Sequence, residues 1–208
     1  MANRRWLWGL GLVVGGLAWA QQAGLVISGK MLGYRGKTGE VWASLDASGD
    51  PDAAVRVGSI EADGRFSLEL PATVSDELLS APQIREDCGE VTPGLKLAVL
   101  TDVYIQKDQT VLGTGVFANR RANLDALLSG ELEGSSKMGF WFYANRAGNI
   151  IENCDGVDMQ QVSNVSFSPG WNKVTGFFIV GQDKPRTRIS NGHSAGLQRW
   201  FFVPVSDQ

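Results

Sequence analysis

Short runs of residues that alternate between apolar and polar constrain the fold of this chain more than any other feature. Residues 65–70 alternate cleanly, with Phe66, Leu68 and Leu70 on one side, and residues 55–60 repeat the same period of two. Such alternation is typical of β-strands that bury one face. About eleven or twelve such runs, separated by turn residues at short intervals, predict an all-β protein with few helices.

The strand pattern is typical of an antiparallel sandwich or barrel, and we predict an antiparallel β-sandwich made of one or two packed modules. Pro71 ends an alternating run, because proline cannot donate a ladder hydrogen bond. We therefore expect a first β-module at 21–71, a connector at 72–94 and a second β-sandwich region at 95–208 that packs with the first.

Three turns can be placed from residue type alone. The Asp-Gly pair at 63–64 separates two alternating runs and predicts a tight hairpin, because glycine supplies a positive φ without steric cost. Residues 107–109 predict another turn. The Ser-Pro-Gly segment at 168–170 predicts a turn that pairs the run 160–167 with the run 171–180 as a hairpin.

The first twenty residues have the pattern of a secretory signal peptide. Arg4 and Arg5 form a positive start, residues 6–17 are uncharged and apolar, and the small-x-small segment 18–20 resembles a cleavage site. The apolar run is short for a membrane span, which needs about 20 residues. We expect cleavage after residue 20 and export to the periplasm, the cell surface or the medium, with no stable membrane span afterwards.

The charge balance restricts the partners. The chain has a formal net charge of −3, which becomes −5 when Arg4 and Arg5 leave with the signal peptide. A mildly acidic domain lacks the positive field that nucleic acid or anionic lipid requires. We therefore expect no nucleic-acid partner, and a protein or a polymer of the cell envelope as the partner instead.

Cys88 and Cys154 are the two cysteines of the chain. In an exported protein an even pair predicts a disulfide, which would pin the connector to the second region. The alternative is two separate buried thiols. With a single histidine in the chain, the pair makes a poor zinc-binding set.

Part of the chain resembles a known group of modules. The segment 24–71 contains the strand 27–31 (ISGKM), the run 57–60 (VGSI) and the turn and strand 63–68 (DGRFSL), followed by Pro71. This order resembles the carboxypeptidase regulatory-like or transthyretin-like β-sandwich modules. The resemblance implies a β-sandwich fold for this quarter of the chain.

The later part resembles small exported envelope proteins of bacteria that have no assigned activity. The residues that carry this resemblance are 142–146 (FYANR), Cys154 and 169–172 (PGWN). The resemblance implies an envelope location and provides no catalytic residues.

One motif has the form of a hydrolase site. Residues 192–196 (GHSAG) match G-x-S-x-G, the nucleophile elbow of α/β-hydrolases, which needs a distant histidine as base. His193 is the single histidine of the chain and stands directly beside Ser194. We predict a glycine-rich surface loop here.

Acidic residues could supply oxygens to calcium in the loop 46–52, or at Glu152, Asp155 and Asp158, but neither group has EF-hand spacing and polar turns explain both. Two further groups have the residue types of a glycosidase acid–base pair, namely Glu131 with Glu133, and Glu86 with Asp87 and Glu90. Solvated loop charge explains these groups as well. The prediction is no catalytic residue, no cofactor and no metal ligand.

Aromatic residues are the remaining candidates for a binding surface. Consecutive aromatics on a strand must point to both faces, so one face needs cover from a second layer, a partner or a flat ligand. Core packing explains most of them. The residues that could form an exposed aromatic surface are Trp141, Tyr143, Trp171 and Trp200.

These observations favour an exported, non-catalytic β-sandwich protein that binds or scaffolds at the bacterial cell envelope. The first alternative is a module that binds carbohydrate or another small ligand through exposed aromatics. The second alternative is a hydrolase of unknown substrate.

Overall fold

The computed structural model describes residues 24–45, 54–100, 103–119, 135–156, 159–179, 184–191 and 199–205. The predicted signal peptide lies outside the described residues. Within them, the prediction of an all-β protein is confirmed, since the helical structure is a single 3₁₀ turn at Asp76–Leu78. No helix in the described ranges has the length and apolar character needed to cross a membrane.

In the described part of the chain, fourteen strands form one continuous hydrogen-bonded sheet. They are β1 (Val26–Leu32), β2 (Gly39–Ala43), β3 (Val55–Ile60), β4 (Arg65–Glu69), β5 (Gly89–Val91), β6 (Leu97–Leu100), β7 (Val103–Lys107), β8 (Thr110–Ala118), β9 (Ser135–Ala144), β10 (Gly148–Asp155), β11 (Gln160–Phe167), β12 (Gly170–Ile179), β13 (Arg186–Ser190) and β14 (Arg199–Pro204).

Seven of these strands close into a barrel in the order β14-β1-β4-β3-β2-β7-β8, because β14 also pairs with β8. The predicted sandwich is therefore not confirmed. Strand β14 lies parallel to β1, with Met31 opposite Trp200, and antiparallel to β8. Because β14 pairs with β1 on one side and with β8 on the other, the barrel lacks the unpaired edge strands that a sandwich would have.

The other strands continue the same hydrogen-bonded sheet in the order β6-β9-β12-β13-β11-β10-β5, and we call this part the second sheet. It joins the barrel where Ala118 of β8 pairs with Met138 of β9. One face of this second sheet surrounds a core of its own, which contains Leu95, Leu97, Val165 and Val174. The barrel core and this core are the two largest of the four hydrophobic clusters that the described residues form.

Strand β9 contributes to both cores. Trp141 packs into the barrel core, whereas its neighbour Phe142 packs against the core of the second sheet. Successive side chains of a strand point to opposite faces, so a strand between two cores is apolar on both. This explains the run of aromatic residues at 140–143 without an exposed ligand surface.

The sequence placed some hairpins correctly. Strands β3 and β4 form the predicted hairpin, in which Gly64 has a φ of 86° and Asp63 Oδ1 accepts a hydrogen bond from the Arg65 N–H at 3.1 Å. Strands β7 and β8 join at Asp108 and Gln109, both with positive φ, as a two-residue hairpin of the primed type requires.

The predicted hairpin between β11 and β12 is wrong. Strand β13 lies between them, parallel to β11 and antiparallel to β12. The turn at 168–170 exists, with Gly170 at a φ of 91°, but it connects strands that are not neighbours. The side chain of Asn172 closes this turn by accepting from the Ser168 N–H and donating to the Ser168 carbonyl.

The barrel combines strands from both sides of the predicted connector 72–94. The barrel takes β1 to β4 from before Pro71, and β7, β8 and β14 from after Leu95. The connector packs Val74 and Leu79 against Ala98. Its later part crosses the second sheet before β5 pairs with β10.

Candidate functional site

The second sheet encloses a cleft of about 300 Å³ between its inner face and the connector segment 80–84. Apolar side chains from six strands and the connector form most of its wall. They are Pro82, Ile84, Leu97, Val99, Phe142, Ile150, Val165, Phe167, Val174 and Ile189. The cleft is polar at one end, where Glu152, Gln161 and Ser163 meet.

The alternation of β10 puts Glu152 on the inner face. Ile150, Glu152 and Cys154 face inward, while Ile151 and Asn153 are exposed. Glu152 is 5% exposed and lies opposite Ser163 of β11, which is 4% exposed. The disulfide at Cys154 fixes which face of the strand is buried, and the carboxylate two residues earlier must share that face.

The two oxygens of the Glu152 carboxylate have different surroundings. Oε2 accepts hydrogen bonds from Gln161 Nε2 at 2.8 Å and from Ser163 Oγ at 3.2 Å. The neighbour of Oε1 is Cys154 Sγ at 3.5 Å, and this sulfur is bonded to Cys88 and carries no hydrogen. Oε1 therefore has no hydrogen-bond donor among the described residues.

The polar end of the cleft continues into an open hollow of about 510 Å³ that shares Gln83, Ile84, Glu152 and Gln161 with it. Arg85 stands at this hollow, but its guanidinium donates to both carboxylate oxygens of Asp87, at 3.1 and 2.5 Å. These bonds raise the pKa of Arg85, with a smaller contribution from the charge of Glu152. Arg85 thus attracts Glu152 at a distance without an ion-pair contact.

The connector segment over the cleft is held at both ends. Ser80 exchanges two backbone hydrogen bonds with Leu97, at 2.9 and 2.8 Å. At the other end Cys88 is bonded to Cys154 of β10, with their Cα atoms 5.2 Å apart, which confirms the pairing expected from the sequence. We call the residues between these anchors, 81–87, the strap.

The four aromatic residues proposed for a binding surface lie elsewhere. Trp141 and Trp200 are each 7% exposed and stack in the barrel core with centroids 5.5 Å apart. Their placement on an exposed surface is therefore wrong. Tyr143 and Trp171 are half-buried and contact each other, and the Trp171 Nε1–H donates to the Pro71 carbonyl at 2.8 Å. They secure the start of the connector.

A lysine covers part of the aromatic cluster. Lys173 Nζ lies 4.5 Å from the centroid of the Phe117 ring and 5.7 Å from that of Trp141. Desolvation lowers the pKa of Lys173. The contact is a cation–π interaction that shields the edge of the barrel core from water.

The other motifs divide between described and undescribed residues. Glu86, Asp87 and Glu90 are exposed. Outside the described residues lie His193 and Ser194, the loop 46–52, Asp158, Glu131 and Glu133. No group of three or more possible metal ligands occurs within the described part of the chain.

Sequence reasoning considered Glu152 as a calcium ligand and missed its role as a buried group inside a cleft. The run 148–155 (GNIIENCD) contains the pattern that predicts this burial. If Cys154 forms a disulfide and Ile150 is buried, the alternation of a strand places Glu152 on the same inner face. The partners Gln161 and Ser163 depend on strand register, which the sequence does not give.

Comparisons with models of protein families, with curated proteins and with solved structures give no match to this chain. The resemblance of the segment 24–71 to transthyretin-like modules therefore stays a prediction.

Proposed function

We propose that this chain is an exported, non-catalytic binding protein that holds a small ligand in the cleft of its second sheet. The ligand would have an apolar body along the cleft wall and a hydrogen-bond donor at Glu152. The observation that carries the proposal is the open acceptor Oε1 of a buried carboxylate at the polar end of an otherwise apolar cleft.

The size and lining of the cleft support this role. Binding sites for small molecules are concave and mostly apolar, with a few placed polar groups, and span about 300–1,000 Å³. The cleft, at about 300 Å³, lies at the lower end of this range. It is thus suited to a compact ligand rather than to a polysaccharide chain.

Export is supported by the disulfide between Cys88 and Cys154, because disulfides persist in oxidising compartments. The signal-peptide pattern of residues 1–20 favours the same location. Within this proposal, a role at the bacterial cell envelope means capture or carriage of a small molecule there.

The test is binding of N-phenyl-1-naphthylamine, a neutral probe that becomes fluorescent in apolar sites. We expect saturable binding to the mature protein. Val99 lines the cleft and is half-buried on the end strand β6. Because Val99→Phe puts a larger side chain into the cleft, it should weaken binding by about tenfold or more, equivalent to about 1.4 kcal/mol.

The matched control is Val55→Phe, which makes the same change at an exposed position of the barrel. It should leave binding unchanged. Absence of saturable binding to the wild-type protein, or equal affinity of the Val99→Phe variant, would refute the proposed function.

A further inference from the structure

We infer that the ligand of the cleft is an apolar primary or secondary amine, held by its ammonium group at Glu152. This inference rests on the proposed binding function and specifies the chemistry of the ligand. It follows from the charge, the hydrogen bonds and the surroundings of one side chain.

Within the described ranges, no cationic side chain is in direct contact with Glu152. A carboxylate removed from water is costly unless it is paired and fully hydrogen-bonded. Each ion pair found among the described residues involves other acids, and the guanidinium of Arg85 is bonded to Asp87. Two neutral donors on Oε2 satisfy half of the carboxylate, and the attraction of Arg85 reaches its charge only from a distance.

The surroundings of Oε1 indicate which ligand group would complete the hydrogen bonding of the carboxylate. This oxygen lies 3.5 Å from a disulfide sulfur, and its residue Glu152 is part of the cleft wall. An ammonium group supplies both a hydrogen and a positive charge, and charge-assisted hydrogen bonds are roughly twice as strong as neutral ones. An amine therefore fits this end of the cleft better than a neutral alcohol does.

The cleft disfavours anionic ligands. No lysine or arginine among the described residues contributes to its lining, so a fatty acid would bring a second carboxylate to Glu152 without a counter-charge there. Like charges at short range raise the free energy of the complex. The rest of the wall is apolar and suits an alkyl or aryl group.

The experiment measures displacement of bound N-phenyl-1-naphthylamine at pH 7 by four competitors with an eight-carbon chain, each below its micelle concentration. These are n-octylamine, 1-octanol, octanoate and n-octyltrimethylammonium. We expect octylamine to displace the probe at a concentration about tenfold lower than octanol does, with octanoate the weakest. The trimethylammonium compound, which has charge but no N–H, should fall between octylamine and octanol.

Glu152→Gln keeps the size of the side chain and removes its charge. The variant should lose the preference for octylamine over octanol while its affinity for octanol stays within about twofold. Glu90→Gln is the matched control, because Glu90 lies on the adjoining strand β5, opposite Ile151, and is exposed. It should keep the amine preference.

The outcomes separate the two proposals. If the probe binds but octylamine and octanol displace it equally, the amine inference is overturned and the binding function stands. The same holds if Glu152→Gln retains the preference. If the wild-type protein does not bind the probe, the binding function itself fails. The competitor series on the wild-type protein tests the amine inference even if the Glu152→Gln variant does not fold.

Discussion

The barrel and the second sheet each contain seven strands, yet one is filled and the other holds a cleft. In the barrel, β14 closes both edges, and Trp141, Trp200 and Phe117 pack in the interior with ring centroids 5.1 to 5.5 Å apart. In the second sheet, β5 and β6 remain as end strands, and a strap replaces the missing closure.

The difference shows how closure of a sheet affects its interior. A small closed barrel leaves just enough room for its own side chains. A sheet covered by a loop has a less regular interior, since a loop cannot supply a full row of inward side chains. The buried polar residues Glu152 and Ser163 lie on the inner face of the second sheet. Glu152 also lines the open hollow, so this end of the cleft is the one that opens toward solvent.

The largest expected contrast comes from two neighbouring residues of β9. Trp141→Ala removes a ring stacked within the barrel core and should lower the free energy of unfolding by about 3–5 kcal/mol. Phe142→Ala should cost only about 2 kcal/mol, because Phe142 is half-buried and already borders the cleft. Urea unfolding followed by circular dichroism measures both. Equal losses would contradict the view that only the barrel is tightly filled.

The second prediction concerns the disulfide, which belongs to the second sheet alone. Replacing both Cys88 and Cys154 by serine releases a crosslink with a sequence separation of 66 and should cost about 2–4 kcal/mol. Hydrogen exchange should then accelerate in β5, β10 and the strap more than in the barrel. The wild-type protein in the absence of reductant is the control. Uniform acceleration across the barrel would show that the two parts unfold as one unit.

The smallest expected effects compare two exposed aspartates. The backbone N–H of Arg65 lowers the pKa of Asp63 in the barrel, and a hydrogen bond from Lys184 lowers the pKa of Asp155 in the second sheet. Both carboxylates therefore stabilise the folded protein at pH values above 3.8, the ordinary pKa of an aspartate. This stabilisation is lost as pH falls through the lower pKa of the folded protein.

Asp63→Ala and Asp155→Ala should each lower Tm slightly at pH 7, and the difference from wild type should vanish in strong acid. Salt at 1 M reduces the Debye length to about 3 Å and should remove most of the Asp155 effect. The Asp63 effect should persist, because its main partner is a neutral backbone group. Thermal melts with and without salt measure both, and identical salt responses would contradict this assignment.

Local patterns in the sequence predicted a large part of the fold. The alternation of 65–70 predicted a strand, the Asp-Gly pair at 63–64 predicted its hairpin, and Cys88 with Cys154 predicted the disulfide. Each of these depends on neighbouring residues or on the cysteine count. The class of protein, all-β with one disulfide, follows from them.

The candidate site was less predictable. The insertion of β13 between β11 and β12 includes a parallel pairing of β13 with β11, which is not its neighbour in sequence, and turn residues contain no information about it. The burial of Trp141 depends likewise on β9 lying between two cores, and that of Trp200 on the pairing of β14 with β1 and β8. A period of two shows that residues share a face, but it does not show what that face contacts.

The sequence by itself determined most of the strands, some of their turns and the disulfide, because these follow from backbone sterics, alternation and the number of cysteines. Strand β5 lies in the segment predicted as a connector. Only the tertiary structure decided that β14 closes a barrel and that the second sheet stays open beneath the strap. Strand pairing over long separations depends on the collective packing of many side chains. For the same reason, only the fold brought Glu152, Gln161 and Ser163 together at the end of an apolar cleft.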